Sequence, residues 1–211
     1  SRAFLRNLRV LESYLTGLLV CGGLIIAIGA QNAYLLSQAI RREHHWPVAA
    51  ICAVCDASLF TLGMFGVSAA LIAVPQALEF LRWLGVIFLG WLALQAAVRV
   101  WRGRAALKVG AATRGSLRKV VLTALAVTLL NPQVYLDTLL LVPAIGAQQN
   151  SAVAFLIGAS TASVVWFSLL AWGGAALAPV LSRPLAWRVI DGLIGLMMAA
   201  IALQLALNGS L

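Results

Sequence analysis

Two aspartates stand where aspartate is least expected. Asp56 and Asp137 each sit inside a long stretch of apolar residues. At the centre of a bilayer a carboxylate costs about 2.5–3.5 kcal/mol even on the most lenient insertion scale. The cheapest relief is to face water, a cation or a proton in the interior of a helical bundle. The neighbours of Asp137 fit that reading. In Asn131-Pro132-Gln133-Val134-Tyr135-Leu136-Asp137, proline has no N–H to give the Thr128 carbonyl, so a helix must loosen there. Gln133 and Asp137 are four apart and share one helix face, while Asn131 and Tyr135 share an adjacent one. A freed carbonyl, two amides, a phenol and a carboxylate around one kink offer many acceptors to a cationic ligand.

A second polar stripe lies near the start of the chain, with Gln31, Tyr34 and Gln38 at i, i+3 and i+7, Asn32 beside them and Gly29 as a candidate helix break. Around Asp56, the small residues Ala49, Cys52 and Gly63 make a face that lets a ligand or another helix come close. Ser160, Thr161 and Ser163 occupy the corresponding part of a later helix, where such hydroxyls more often bond helix to helix than bind ligands. Most tryptophans fall near the ends of apolar runs, as interfacial anchors do. Trp166 lies deeper, a candidate to line a pathway.

The elements that carry these residues follow from composition. The 211 residues are 63% hydrophobic and 10% charged, with a mean hydropathy of +0.99. A soluble domain has about 25% charged residues, so this chain cannot make a water-facing surface. Its net charge of +9 is gathered into short segments between neutral runs. That pattern points to a membrane protein with basic loops and away from nucleic acid. A membrane helix takes about 20 apolar residues, so the 45-residue uncharged run from Thr138 to Ser182 must be divided, and Gln148-Gln149-Asn150-Ser151 is its natural break. Six spans result, at about 14–38, 47–74, 78–101, 119–146, 151–177 and 187–207. Arg2, Arg6 and Arg9 resemble the start of a signal peptide, but the following run is about twice a signal-peptide core and no cleavage site ends it. The segment is expected to be retained.

Basic residues concentrate at 99–119, at Arg41 and Arg42, and at Arg183 and Arg188. These three loops fall on one side, which the positive-inside rule makes cytoplasmic. Six spans then put both termini outside, against which the N-terminal arginines argue; a re-entrant first segment would leave five spans and an internal N-terminus. Six is the favoured number. The two halves also resemble each other. Gly29-Ala30-Gln31-Asn32 matches Asn131-Pro132-Gln133, Ser68-Ala69-Ala70-Leu71 matches Gly174-Ala175-Ala176-Leu177, and Trp91-Leu92-Ala93-Leu94-Gln95 matches Ala200-Ile201-Ala202-Leu203-Gln204, at offsets of about 102–109 residues. Three spans per half must give opposite orientations, the inverted-repeat plan of secondary transporters. The expected fold is an all-α integral membrane protein of six transmembrane helices in two inverted three-helix repeats. Residues 1–13 form an N-terminal extension, 14–101 the first repeat, 102–118 a basic cytoplasmic loop and 119–208 the second repeat.

Several of these segments resemble the lysine exporter (LysE) family. They are Ile28-Gly29-Ala30-Gln31-Asn32-Ala33-Tyr34, Gln38-Ala39-Ile40-Arg41-Arg42, Cys55-Asp56, Phe65-Gly66 and Val127-Thr128-Leu129-Leu130-Asn131-Pro132-Gln133-Val134-Tyr135-Leu136-Asp137. The chain looks most like the branch that exports basic amino acids. The resemblance implies efflux of L-arginine and/or L-lysine across a bacterial inner membrane, with Asp56 and Asp137 as the matching acids. Where the family usually reads Gly-Pro-Gln-Asn, this chain has Ala30 in place of proline, so a break there is left to Gly29.

Moving one positive charge outward against the membrane potential costs about 2.3 kcal/mol per 100 mV. No Walker A motif is present to bring in ATP, which leaves ion exchange. The expected mechanism is substrate/proton antiport by a protein that is not an enzyme and needs no cofactor. The expected partners are a basic amino acid, protons and membrane lipid. Homo-oligomerisation stays open, although Gly192 and Gly195 are three apart and make no GxxxG motif. The competing expectation is efflux of a heavy metal or another cation. Cys52-x-x-Cys55 beside Asp56, with His44 and His45 at the mouth of the same helix, offers it soft and hard ligands. The cysteines are equally well small apolar helix residues, and no metal site is expected.

Overall fold

The computed structural model describes residues 2–26, 29–67, 75–101, 115–180 and 184–207, and every regular element among them is helical. The order is α1 (Arg2–Ile26), α2 (Ala30–Arg41), α3 (His45–Leu62) with a π-helical turn at Gly63–Val67, α4 (Pro75–Trp101), α5 (Leu117–Leu129), α6 (Pro132–Tyr135), a π-helical segment Leu136–Leu141, α7 (Val142–Gly146), α8 (Ala152–Leu177) and α9 (Pro184–Leu207). Three stretches are long and apolar enough to cross a membrane: Ala3–Ile26, His45–Gly66 and Ala152–Leu177. A fourth results if Leu117–Leu129 and Gln133–Gly146 form one span bent by 65°.

The residues at the helix ends explain where the chain breaks. Ser151 caps α8, its Oγ accepting the Ala154 N–H at 3.2 Å. Gly29 opens α2 in an extended conformation (φ −122°, ψ 176°) and has no side chain with which to cap it. The span expected at 14–38, with Gly29 as its candidate break, is divided between two helices, and α1 begins at Arg2. The helix break expected at Pro132 falls between α5 and α6. The helix stops at Leu129, and Asn131 Oδ1 accepts the Gln133 N–H at 3.1 Å, starting a new helix in which proline takes the first position. The neighbouring proline only required loosening; Asn131 as a cap converts it into a break. The fifth span agrees with α8 to within a residue, and the sixth and third fall within α9 and α4. Residues 68–74 of the second span and 102–114 of the basic loop lie outside the described residues.

Helix α8 organises the bundle. At one end its cap residue Ser151 donates its N–H to Ser13 Oγ at 3.2 Å. At the other, Arg42 donates from Nε and Nη2 to the Ala175 carbonyl at 3.1 and 2.9 Å. The broken pair α1–α2 thus runs beside α8 in the same direction for the whole length of that apolar helix. Lipid provides no hydrophobic drive for helix association, so close packing by small residues must supply it. A Cβ on Gly17 would collide with the Phe155 carbonyl, and one on Gly158 with the Tyr14 carbonyl. Helix α3 also packs on α8, and α4 pairs with α9.

The interior divides into two apolar clusters. One, nearer the α2–α3 turn, includes Leu35, Val48, Ala49, Cys52, Val120, Ala124, Val127, Phe167 and Ala171. The other, nearer Ser151, includes Cys21, Phe60, Val142, Phe155 and Ala159. On the side of the first cluster the turn is tied down twice more. His44 Nε2–H donates to the Gly115 carbonyl at 3.0 Å and Tyr34 OH to the Val120 carbonyl at 3.3 Å. Arg42 and His44 are the only non-glycine residues with positive φ among the described residues, at 56° and 49°.

Candidate functional site

Both helix breaks open on one cavity. It has a volume of about 380 Å³, and its walls include Gly29, Gln31 and Asn32 from the first break, Asp56 from α3, and Asn131, Gln133 and Asp137 from the second break. The expected polar residues thereby converge, although they lie on three separate stretches of sequence. Tyr135 is the exception: it is half-buried but forms no part of the cavity wall. Pro132 opens α6 as a helix-starting residue.

Each carboxylate is held by one neutral donor. Ser163 Oγ, fully buried on α8, donates to Asp56 Oδ2 at 2.9 Å. Gln133 Nε2 donates to Asp137 Oδ1 at 2.9 Å, the four-residue pairing that the sequence spacing required. Neither acid has a cationic partner among the described residues. A carboxylate taken out of water needs opposite charge or several donors to offset its lost hydration. With neutral donors alone, both acids have acceptor capacity left for a cation or a proton.

The first break supplies the opposite polarity. The earliest helical hydrogen bond of α2 is Ala33 N–H to the Gly29 carbonyl at 3.0 Å. The N–H groups of Ala30, Gln31 and Asn32 therefore have no intrahelical acceptor, and their residues line the cavity. Asn32 fixes this end. Its Nδ2 donates to the Ile25 carbonyl at 2.7 Å, bridging the break, and its Oδ1 accepts from Trp166 Nε1 at 3.3 Å. Gln31 Nε2 is buried without a hydrogen-bond partner among the described residues. The second break is closed by Asn131, whose side chain takes up a free N–H of its own helix. The cavity wall thus offers hydrogen-bond donors and the start of a helix dipole together with two carboxylates. A small molecule carrying both an anionic and a cationic group matches that polarity.

Gln204 of α9, Thr138 and Cys21 line the cavity and were not picked out from the sequence, and Ser163, expected chiefly as a helix–helix contact, proves to be the donor to Asp56. Gln204 was visible as an amide within an apolar run, matched to Gln95 in the repeat. Thr138 bonds its own helix at the Val134 carbonyl at 2.6 Å, so nothing marks it from sequence. Trp166 braces Asn32 and does not itself line the cavity. Among the described residues, no group of three or more His, Cys, Asp or Glu could hold a metal ion. His45 starts α3, eleven residues before Asp56, or about 16 Å along a helix.

A cavity of mixed polarity at two helix breaks, in an all-helical chain with several membrane-length apolar helices, defines a multi-pass membrane transporter. The family model described as LysE type translocator matches residues 23–209, and the chain belongs to that family, a multi-pass protein of the inner membrane. It is 44% identical over 185 residues to the "Putative amino-acid transporter YggA" of Aeromonas salmonicida, covering 87% of this chain and 90% of that protein. It is 42% identical over 203 residues to the arginine exporter protein ArgO of Yersinia enterocolitica (95% and 98% covered). To the ArgO of Serratia proteamaculans it is 40% identical over 203 residues (95% and 99% covered). No solved structure matches the chain.

Proposed function

We propose that this protein exports L-arginine and/or L-lysine across the inner membrane in exchange for protons. The observation that carries this reading is the shared cavity. Asp56 and Asp137, without cationic partners among the described residues, line one space of about 380 Å³ together with the donor-rich start of α2. The uncapped N–H groups of Ala30, Gln31 and Asn32 hold the α-carboxylate, and the acids receive the two cationic groups of a basic amino acid. Exit of the cation against an inside-negative potential, at about 2.3 kcal/mol per 100 mV, is driven by protons entering on the vacated carboxylates. Asp137 takes the side-chain cation or α-ammonium, and Asp56, which meets the other cationic group, carries or shares the coupling proton once the substrate has left. The arginine exporters among the relatives support the substrate class.

The same reading has six membrane crossings in two inverted repeats of three, with α1–α2 as one broken crossing and α5–α7 as its counterpart. The turn at Arg41 and Arg42, Gly115 and the end of α8 lie on one face, and this face is cytoplasmic. The bonds of Arg42 to Ala175 and of His44 to Gly115 support that grouping.

The test is counterflow of labelled arginine into proteoliposomes preloaded with unlabelled arginine, lysine, ornithine, neutral amino acids or Cd²⁺. Exchange with basic amino acids alone is the expected result, and in liposomes with no amino acid on the opposite side an imposed proton gradient should drive net arginine movement opposite to the protons. Exchange with neutral amino acids or Cd²⁺ would overturn the assigned cargo, and net arginine movement indifferent to the proton gradient would overturn the coupling.

A further inference from the structure

Three residues far from the transport cavity make a second site. Near the start of α1, a cavity of about 380 Å³ is lined by Leu5, Arg6, Arg9, Val10 and Asn150. Arg6 and Arg9 are exposed, three apart on one helix face, and pair with no acid among the described residues. Asn150 belongs to the connection before α8 and adds an amide to the same cavity. We propose that Arg6, Arg9 and Asn150 bind the phosphate of an anionic phospholipid.

The depth of the site favours a lipid. Ser13 accepts the N–H of Ser151, the cap of membrane-length α8, and donates to the Arg9 carbonyl at 2.9 Å. The level of Ser13 is thus the level at which α8 begins. At 1.5 Å per residue, Arg9 lies about 6 Å and Arg6 about 10 Å beyond it. The polar layer of a bilayer adds roughly 5–8 Å to each side of the hydrocarbon, so Arg9 falls within that layer and Arg6 at its outer edge, from which its long side chain lies back along apolar surface toward the lipid phosphates.

The surroundings also distinguish lipid from free phosphate. Leu5 and Val10 form part of the cavity wall, and Leu8 and Leu11 are exposed beside it; acyl chains cover such residues and a hydrated inorganic ion does not. Two planar guanidinium forks bind phosphate oxygens in pairs.

The experiment uses the full chain in phosphatidylcholine nanodiscs containing phosphatidylglycerol with a photoactivatable head group, the adducts being mapped by peptide mass spectrometry. Label on residues 4–12 should exceed that from a matched phosphatidylcholine probe about tenfold. The pair Arg6→Gln and Arg9→Gln should abolish this excess while leaving label near Arg118 and Lys119 unchanged. Asn150→Leu, which keeps both charges, should lower it severalfold, so the proposal stays testable where the double variant fails to accumulate. Equal labelling by the two lipids, or unchanged labelling in these variants, would overturn the site. Suppression of the label by millimolar inorganic phosphate would make it a free-anion site and overturn the lipid assignment.

Discussion

The two acids are set up differently, and their variants should behave differently. Asp56 is buried and receives its one hydrogen bond from a neighbouring helix, whereas Asp137 is half-buried and receives its bond from its own helix. Asp56→Asn and Asp137→Asn should each lower arginine counterflow by about 100-fold, the scale of a lost charge-assisted interaction, with protein still found in the membrane. Counterflow within threefold of wild type in either variant would exclude that acid from the path. Ser163→Ala should lower the rate by about 10-fold while Ser163→Thr, which keeps the hydroxyl, restores most of it. Equal loss in both would mean that Ser163 only fills space. Gln204 tests whether the cavity reaches α9: Gln204→Leu should raise the concentration of arginine needed for half-maximal exchange by roughly 5–10-fold, the worth of one hydrogen bond.

At the scale of the elements, what the sequence made legible depended on whether the signal was local. The Gln133–Asp137 bond follows from helical spacing alone, and both carboxylates were conspicuous because charge in an apolar run has a cost wherever the run is placed. The cap residue Ser151 and the polar cluster before it marked the start of α8 closely. Where a neighbour decides the outcome, sequence reading stopped short. Whether Gly29 merely permits a bend or divides a helix depends on the Asn32 amide reaching back to Ile25, and the role of Ser163 depends on a partner 107 residues away. The glycines of α1 and α8 belong to the same kind: nothing in their spacing says that Gly17 and Gly158 face each other's backbones. Gly158→Ala would force those backbones apart, at about 1–3 kcal/mol for an overpacked contact. It should lower the midpoint of thermal unfolding in detergent by several degrees, while Gly173→Ala, which has open space around it, should leave the midpoint unchanged.

For the whole molecule, the distribution of packing defines a state. Between the cavity and the α2–α3 turn lie Leu35, Val48, Ala49, Val120 and Phe167, all buried, and the turn itself is fastened to α8 and to the entry of α5. A transporter must expose its site to each side in turn, so these fastenings have to release once per cycle. In a background where Cys21, Cys52 and Cys55 are serine, Arg42→Cys and Ala175→Cys should exchange arginine until bridged by a short bismaleimide and then stop. Bridged protein that exchanges at the unbridged rate would show that this face need not open.

The grip of α8 on the cavity has a consequence for how such a protein changes over generations. Ser163 holds Asp56 and Trp166 holds Asn32, three residues apart on a helix that contributes no wall residue of its own. Substitutions on α8 can therefore retune the settings of Asp56 and of Asn32 while every group that meets the cargo keeps its identity. Selection for faster or slower export should find its mutations there, and suppressors of slow cavity variants should map to the same helix.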